Sequence, residues 1–162
     1  MDIGGRDVSG GMNLLLFAWR KLAKAPVFDE PYGRRVLFSG RILEIMLADW
    51  RADAGCAIHD HGGARGLVVI LEGEFEESRY RFDGHALTGI SRRWRKRGDL
   101  VPLGEKVIHA MQAKGKGLTL HLYAPGGRAC RLFDAATRVT WTIRSGGAWL
   151  PPQDPLARES WP

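Results

Sequence analysis

Leu67-Val68-Val69-Ile70-Leu71-Glu72-Gly73, followed by residues 74–82 and then Asp83-Gly84, is the stretch on which the fold turns. Five apolar residues in a row suit a buried strand and are too few for a helix. Glu72-Gly73 and Asp83-Gly84 have the composition of tight hairpin turns, so this stretch predicts strand, turn, strand, turn. The same pattern continues outward. Arg41-Ile42-Leu43-Glu44-Ile45-Met46-Leu47 reads as a strand, and residues 106–112, 117–123 and 137–143 are further strand candidates. Many short strands with Gly-rich turns predict an all-β fold, a single jelly-roll barrel.

One helix is expected, over residues 13–25. Asn13 can cap it, Leu14 to Trp19 with Leu22-Ala23 give it an apolar face, and Pro26 stops it. The run Leu14-Leu15-Leu16-Phe17-Ala18-Trp19 is short and ends in Arg20-Lys21, which reads as a buried helix. The tail from Gly146 holds four prolines and two tryptophans and is expected to be an extended arm packed on the barrel. With no internal repeat or linker, residues 1–162 read as one domain: helix 13–25, barrel 32–145, arm 146–162.

Composition narrows the class. The chain is 44% hydrophobic and 26% charged, ordinary for a globular protein. No stretch approaches the ~18 consecutive apolar residues of a membrane span. Met1-Asp2-Ile3-Gly4-Gly5-Arg6 lacks the basic-then-apolar order of a secretion signal, so a cytoplasmic location is expected. Cys56 and Cys130 form neither a disulfide framework nor a close Cys-x-x-Cys pair and read as reduced thiols. The formal charge of +6 is concentrated: Arg92, Arg93, Arg95, Lys96 and Arg97 surround Trp94, and removing those five leaves +1. That run reads as a solvated strand or loop; a nucleic-acid partner is the alternative but is not expected.

Ile58-His59-Asp60-His61-Gly62-Gly63 carries the chemistry. Alternate residues of a strand share a face, so His59 and His61 can point inward while Asp60 points away. Two imidazoles one strand-step apart can share a metal ion. A third histidine, His109, ends the turn-rich segment that runs from Gly98 through Pro102-Leu103-Gly104 to Ile108. Three histidines without a carboxylate leave a metal with open positions and no neutralising protein anion. Iron(II) suits such a site, although zinc, nickel or copper would also bind. Along 117–123, Thr119, His121 and Tyr123 share one face and Leu118, Leu120 and Leu122 the other. A polar row inside a barrel must bond to itself or to a ligand. His85, after the Asp83-Gly84 turn, reads as an exposed loop residue.

The His-x-His pair, the Pro-x-Gly turn and the later histidine resemble the motifs of cupins. Cupins usually add a glutamate, but here that position is Gly66, with Gly73 following at a seven-residue step. The run from Ala57 to Gly63, Trp50 nine residues before His59, Thr119-Leu120-His121-Leu122-Tyr123-Ala124-Pro125, and Tyr32-Gly33-Arg34 together resemble the cysteine dioxygenase family. The resemblance runs from about Tyr32 to Phe133. It implies that His59, His61 and His109 hold ferrous iron, Fe(2+). It also implies that Arg34 pairs with a substrate carboxylate beside Tyr32, and that Thr119, His121 and Tyr123 form the row the family writes as Ser-His-Tyr. Cys130 matches a cysteine near the family's pocket, with no role assigned. Animal members carry a cysteine that cross-links to the tyrosine matching Tyr123. Gly66 stands there in this chain, as in bacterial relatives, so Tyr123 is expected to be a free phenol.

The implied activity is addition of both atoms of dioxygen to the sulfur of a small thiol carboxylate. L-cysteine, giving cysteine sulfinic acid, is the first choice, and 3-mercaptopropionate or mercaptosuccinate are the alternatives. Arg34 favours cysteine, provided that the adjacent Arg35 does not take its place through a one-residue slip. A cupin that binds a metal or small molecule without turnover is a further alternative. The expected partners are the thiol and dioxygen, with no membrane, and the expected state is a monomer or weak homo-oligomer.

Overall fold

The structure is a computed structural model that describes residues 17–23, 30–144 and 147–162. Its strands are β1 (Tyr32–Ser39), β2 (Glu44–Trp50), β3 (Ile58–His59), β4 (Arg65–Phe82), β5 (Leu87–Lys96), β6 (Leu100–Leu103), β7 (Ile108–Ala124), β8 (Cys130–Asp134), β9 (Val139–Ile143) and β10 (Ala157–Ser160). They form one antiparallel sheet in the order β1-β2-β7-β3-β8-β9-β10, with β4 branching onto β7 and carrying β5 and β6. The fold is the all-β jelly roll expected from the strand pattern.

The stretch 67–84 folds differently from its reading. Glu72-Gly73 is not a hairpin turn. It lies inside β4, which runs unbroken for 18 residues and shifts register against β7 between Ile70 and Glu72 and again between Glu72 and Glu74. Gly73 has φ +88, and a Cβ there would meet the Lys116 carbonyl oxygen at 2.6 Å, so glycine permits a bulge instead of a turn. The partner strand is likewise continuous: the segments 106–112 and 117–123 are two halves of β7. Asp83-Gly84 does join two strands, β4 and β5, with Asp83 accepting the amides of His85 and Ala86. The strand expected over 41–47 begins only at Glu44, and Ile42 is exposed.

The core lies between the faces of the sheet and is rich in aromatic rings. Phe75 packs edge-on against Trp50, and Trp50 against Tyr32. At the N-terminus, residues 17–22 are helical, and the remainder of the 13–25 segment, with Asn13, lies outside the described residues. This part is not the buried helix expected, since Phe17 and Leu22 are exposed. Arg20 ties it to the barrel through ion pairs with Asp49 and Glu72. In the C-terminal arm, β10 pairs with β9, and the backbone of Ala148 bonds Ala57 and the Tyr32 hydroxyl.

The basic run also finds its place. Residues 92–96 form the second half of β5, opposite the acidic part of β4, where Arg95 pairs with Glu77 and Arg92 with Glu76. Arg92, Arg93, Lys96 and Arg97 are exposed, so Arg95 alone of the run is turned inward.

Candidate metal centre and its cavity

The three histidines converge because two paired strands bring His59 and His109 together and the turn after β3 adds His61. His59 on β3 and His109 on β7 are directly paired. His61 lies just beyond β3, where the turn His61–Ala64, closed by a 3.0 Å backbone hydrogen bond, begins. Asp60 does point away from the other two, but it is not idle. Its carboxylate accepts the amides of Gly62 and Arg131 and the Nε–H of Arg131, which fixes the loop between the two ligands. Sequence reasoning missed this role, and nothing near Asp60 names a residue 71 positions away.

One ligand nitrogen from each histidine lies within 4.8 Å of the others, and His61 Nε2 and His109 Nε2 are 3.1 Å apart. Nitrogens ~2.1 Å from a shared ion are separated by about 3 to 3.5 Å, so the His61–His109 pair already has the spacing of two ligands on one divalent metal, with His59 beside it. His59 donates its Nδ1 proton to the Ala57 carbonyl at 2.9 Å, which frees Nε2 as the ligand. Burial holds His59 below its ordinary pKa. Burial, followed by the neighbouring imidazoles, holds His61 and His109 well below theirs. All three are thus kept as neutral imidazoles, the form that ligates. His109 Nδ1 is buried without a hydrogen-bond partner.

A hydrogen-bonded row approaches the same cavity from the other end of β7. Trp50 Nε1 donates to Thr119 Oγ1 at 2.8 Å, Thr119 Oγ1 lies 2.7 Å from His121 Nε2, and His121 Nδ1 lies 2.8 Å from the Tyr123 hydroxyl. Indole can only donate, so Trp50 is the donor to Thr119, and the sense of the remaining two bonds follows the tautomer of His121. With His121 protonated on Nδ1, the Thr119 hydroxyl donates to His121 Nε2, and His121 Nδ1–H donates to Tyr123. The phenol proton is then free to point into the cavity, where the Tyr123 ring stacks on His61. His121 is buried, and its pKa is pushed down to about 3 by burial, then by His59 and Arg34; burial holds the Tyr123 phenol well above its ordinary range. Gly66 is the register partner of Tyr123, and a Cβ there would sit 2.8 Å from Tyr123 Cδ1. The tyrosine ring occupies the space a side chain would need.

Arg34 and Tyr32 both line the cavity, whereas Arg35 is exposed. Arg34 is not unpaired. Its Nη2 donates to Glu44 Oε1 at 2.7 Å and its Nε lies 3.0 Å from the Met46 sulfur, while Nη1 has no partner among the described residues. Glu44 escaped sequence reading because only the strand pairing brings it beside Arg34. Tyr32 accepts the Ala148 amide at 2.8 Å. Cys130 lines the cavity, its thiol pushed up to about 12 by burial and then Asp60. His85 is exposed and far in sequence and fold from these groups, on the β4–β5 turn.

The architecture is shared with solved cupin-type structures. KdgF from Halomonas sp. superposes with a TM-score of 0.52 at 16% identity over 63% of this chain and 87% of that one. An RmlC-like cupin from Shewanella frigidimarina gives 0.53 at 16% identity over 65% and 86%. At the sequence level, cysteine dioxygenase type 1 of Danio rerio is 26% identical over 140 residues, 78% of this chain and 66% of that protein, so the chain spans just under two thirds of that relative's length. The family model for cysteine dioxygenase type I matches residues 12–136, which takes in every histidine of the metal cluster and the whole row to Tyr123. This chain therefore belongs to the cysteine dioxygenase type I family.

Proposed function

We propose that this chain is an iron(II)-dependent thiol dioxygenase that adds both atoms of dioxygen to the sulfur of a small thiol carboxylate, most simply L-cysteine to cysteine sulfinic acid. The reading is carried by one observation: His59 and His61 of the three-histidine cluster, Tyr123 and Arg34 line a single cavity, with His109 buried directly behind the two histidines. Bound by His59, His61 and His109, ferrous iron would supply thiolate coordination and dioxygen activation.

The protein's own groups would orient and stabilise. Arg34, held from behind by Glu44, offers its remaining nitrogen to a carboxylate as a charge-assisted hydrogen bond. Glu44 also lines the cavity, so both signs of charge face the substrate. That suits the zwitterion of cysteine better than 3-mercaptopropionate, which has only the carboxylate. Tyr123 donates its proton toward the reacting oxygen atoms, with Trp50, Thr119 and His121 fixing the donor's direction in advance. The arm at Ala148 closes the wall behind Tyr32 against bulk water. Residues 1–162 would act as one domain, in a reducing compartment such as the cytoplasm, where the half-buried thiols of Cys56 and Cys130 would stay reduced.

The test is anaerobic loading with ferrous iron, followed by oxygen uptake and sulfinate analysis with L-cysteine, 3-mercaptopropionate and mercaptosuccinate side by side. Cysteine should give one sulfinate per oxygen molecule consumed. Arg34→Gln should lower that turnover on the order of ten- to hundredfold, as expected for losing a charge-assisted pair of about 1.5–3 kcal/mol, and Arg35→Gln should do much less. No oxygen uptake with any of the three thiols by iron-loaded protein would refute the reading.

A further inference from the structure

The metal-binding histidines differ in what stands behind them. His59 rests on a neutral carbonyl, that of Ala57. Behind His109 stands a carboxylate. Oε1 of Glu77 lies 3.9 Å from His109 Nδ1, and both side chains are almost wholly buried, at 1% and 2% exposure. Among the described residues, His109 Nδ1 is the one buried side-chain polar atom with no hydrogen-bond partner.

The sequence brings them together through register. Phe75 is fully buried on β4, and strand alternation turns Glu77 to the same inner face, while the β4–β7 pairing sets Glu77 and Arg79 opposite Met111 and His109. A buried carboxylate survives only if its charge is met. Arg79 Nε donates to Oε1 at 2.7 Å, and Arg95 donates to Oε2 through Nε at 2.9 Å and Nη2 at 2.5 Å. The two arginines hold the carboxylate, but they do not explain why a carboxylate occupies a core position. His109 does. A neutral imidazole has one N–H, so a histidine that gives Nε2 to a metal must carry its proton on Nδ1. That proton is a buried donor, and the nearest charged acceptor is Glu77.

We propose that Glu77 is the positioning residue of the metal centre, its carboxylate accepting the Nδ1–H of His109 while His109 holds the metal through Nε2. The contact, at 3.9 Å, is about 1 Å longer than a hydrogen bond, so the proposal requires the His109 ring and the Glu77 carboxylate to draw together. Such backing fixes the tautomer, aims the ring and makes its nitrogen a stronger ligand. It also explains why Arg95, the inward member of the basic run, reaches into the core, since its guanidinium aims the carboxylate at His109. The inference rests on the three-histidine reading of the site.

The test uses zinc as a diamagnetic probe in place of iron. In zinc-loaded protein labelled with 15N-histidine, the Nδ1 proton of His109, assigned separately from that of His59 on the Ala57 carbonyl, should resonate far downfield and exchange slowly with water. Zinc affinity, measured by chelator competition, should fall about ten- to hundredfold in Glu77→Gln. Glu77→Asp keeps the charge for both arginines but withdraws it from His109, and it too should weaken zinc binding while the metal-free protein stays folded. A merely structural Glu77 would lower the melting temperature of the metal-free protein without altering zinc affinity. If Gln fails to fold, the Asp variant and the spectrum of the parent protein still decide. A parent that binds zinc yet shows no such proton, or folded variants that bind zinc as the parent does, would overturn the role of Glu77 alone. A parent that binds no zinc would overturn the metal reading beneath it.

Discussion

The two halves of β7 serve one site with opposite chemistry. Its first half delivers His109, whose rear nitrogen faces the charged cluster of Glu77, Arg79 and Arg95. Its second half delivers Thr119, His121 and Tyr123, backed by the indole of Trp50 on β2, with no charged group within the row itself. A carboxylate behind a ligand strengthens its hold on a cation. A neutral row of hydroxyl and imidazole instead presents a phenol to the cavity. On the proposed reading, one strand would supply a grip for positive charge at one end and a hydrogen-bond donor for developing negative charge at the other.

That division can be broken by mutation, and the largest effect is expected at the ligand end. His109→Ala, His59→Ala and His61→Ala should each lose stoichiometric iron, and with it turnover, while the protein remains folded by circular dichroism. Full iron content and full turnover in His109→Ala would show that the first half of β7 is not a metal-binding element. At the donor end, Tyr123→Phe should bind iron normally but react on the order of 10²-fold more slowly, or yield less sulfinate per oxygen consumed. A rate and coupling equal to those of the parent would make the second half of β7 mere packing.

A smaller effect sharpens the contrast through pH. The folded-state pKa of His121 is pushed down to about 3, from an ordinary value of 6.5 that the unfolded chain retains. Above pH 6.5 both states are neutral and nothing is lost. As pH falls from 6.5 toward 3 the unfolded chain takes up a proton that the buried imidazole refuses, so stability declines, at up to about 1.4 kcal/mol per pH unit for one such group. The melting temperature of the metal-free protein should therefore drop across this window, and His121→Gln should make the drop shallower. An equal slope in both proteins would mean that His121 can be protonated in place. The smallest effect is expected at His85, on the exposed β4–β5 turn, where alanine should alter neither iron content nor turnover.

Much of the site could be read from the chain because it is written in strand alternation. Thr119, His121 and Tyr123 are spaced by two along β7, and period-two spacing survives whatever the register, whereas His61 reaches His59 from the turn that follows β3. Arg34 versus Arg35 was a question of register, which only the pairing of β1 with β2 places. Gly73 misled for a physical reason. Positive φ serves a hairpin and a bulge equally well, and the choice depends on a partner strand about 40 residues away. Glu77 could have been found by counting inward from Phe75. Its neighbours Glu74 and Glu76 obscure it, since a run of acids reads as a solvated face. Glu44 and Asp60 carried no local signal, because their importance lies in Arg34 and Arg131, which reach them only in the folded sheet.

The tail beyond β9 has a practical consequence. The family match ends at residue 136, so a chain trimmed to it would keep every histidine and the whole row to Tyr123. It would nonetheless lose Ala148, whose amide bonds the Tyr32 hydroxyl and whose carbonyl accepts the amide of Ala57, two residues before the first ligand. It would also lose Trp149, which meets the Tyr32 ring edge-on. A shortened version would carry a complete set of signature residues around a cavity missing one of its sides. The family match therefore stops short of residues that line the cavity.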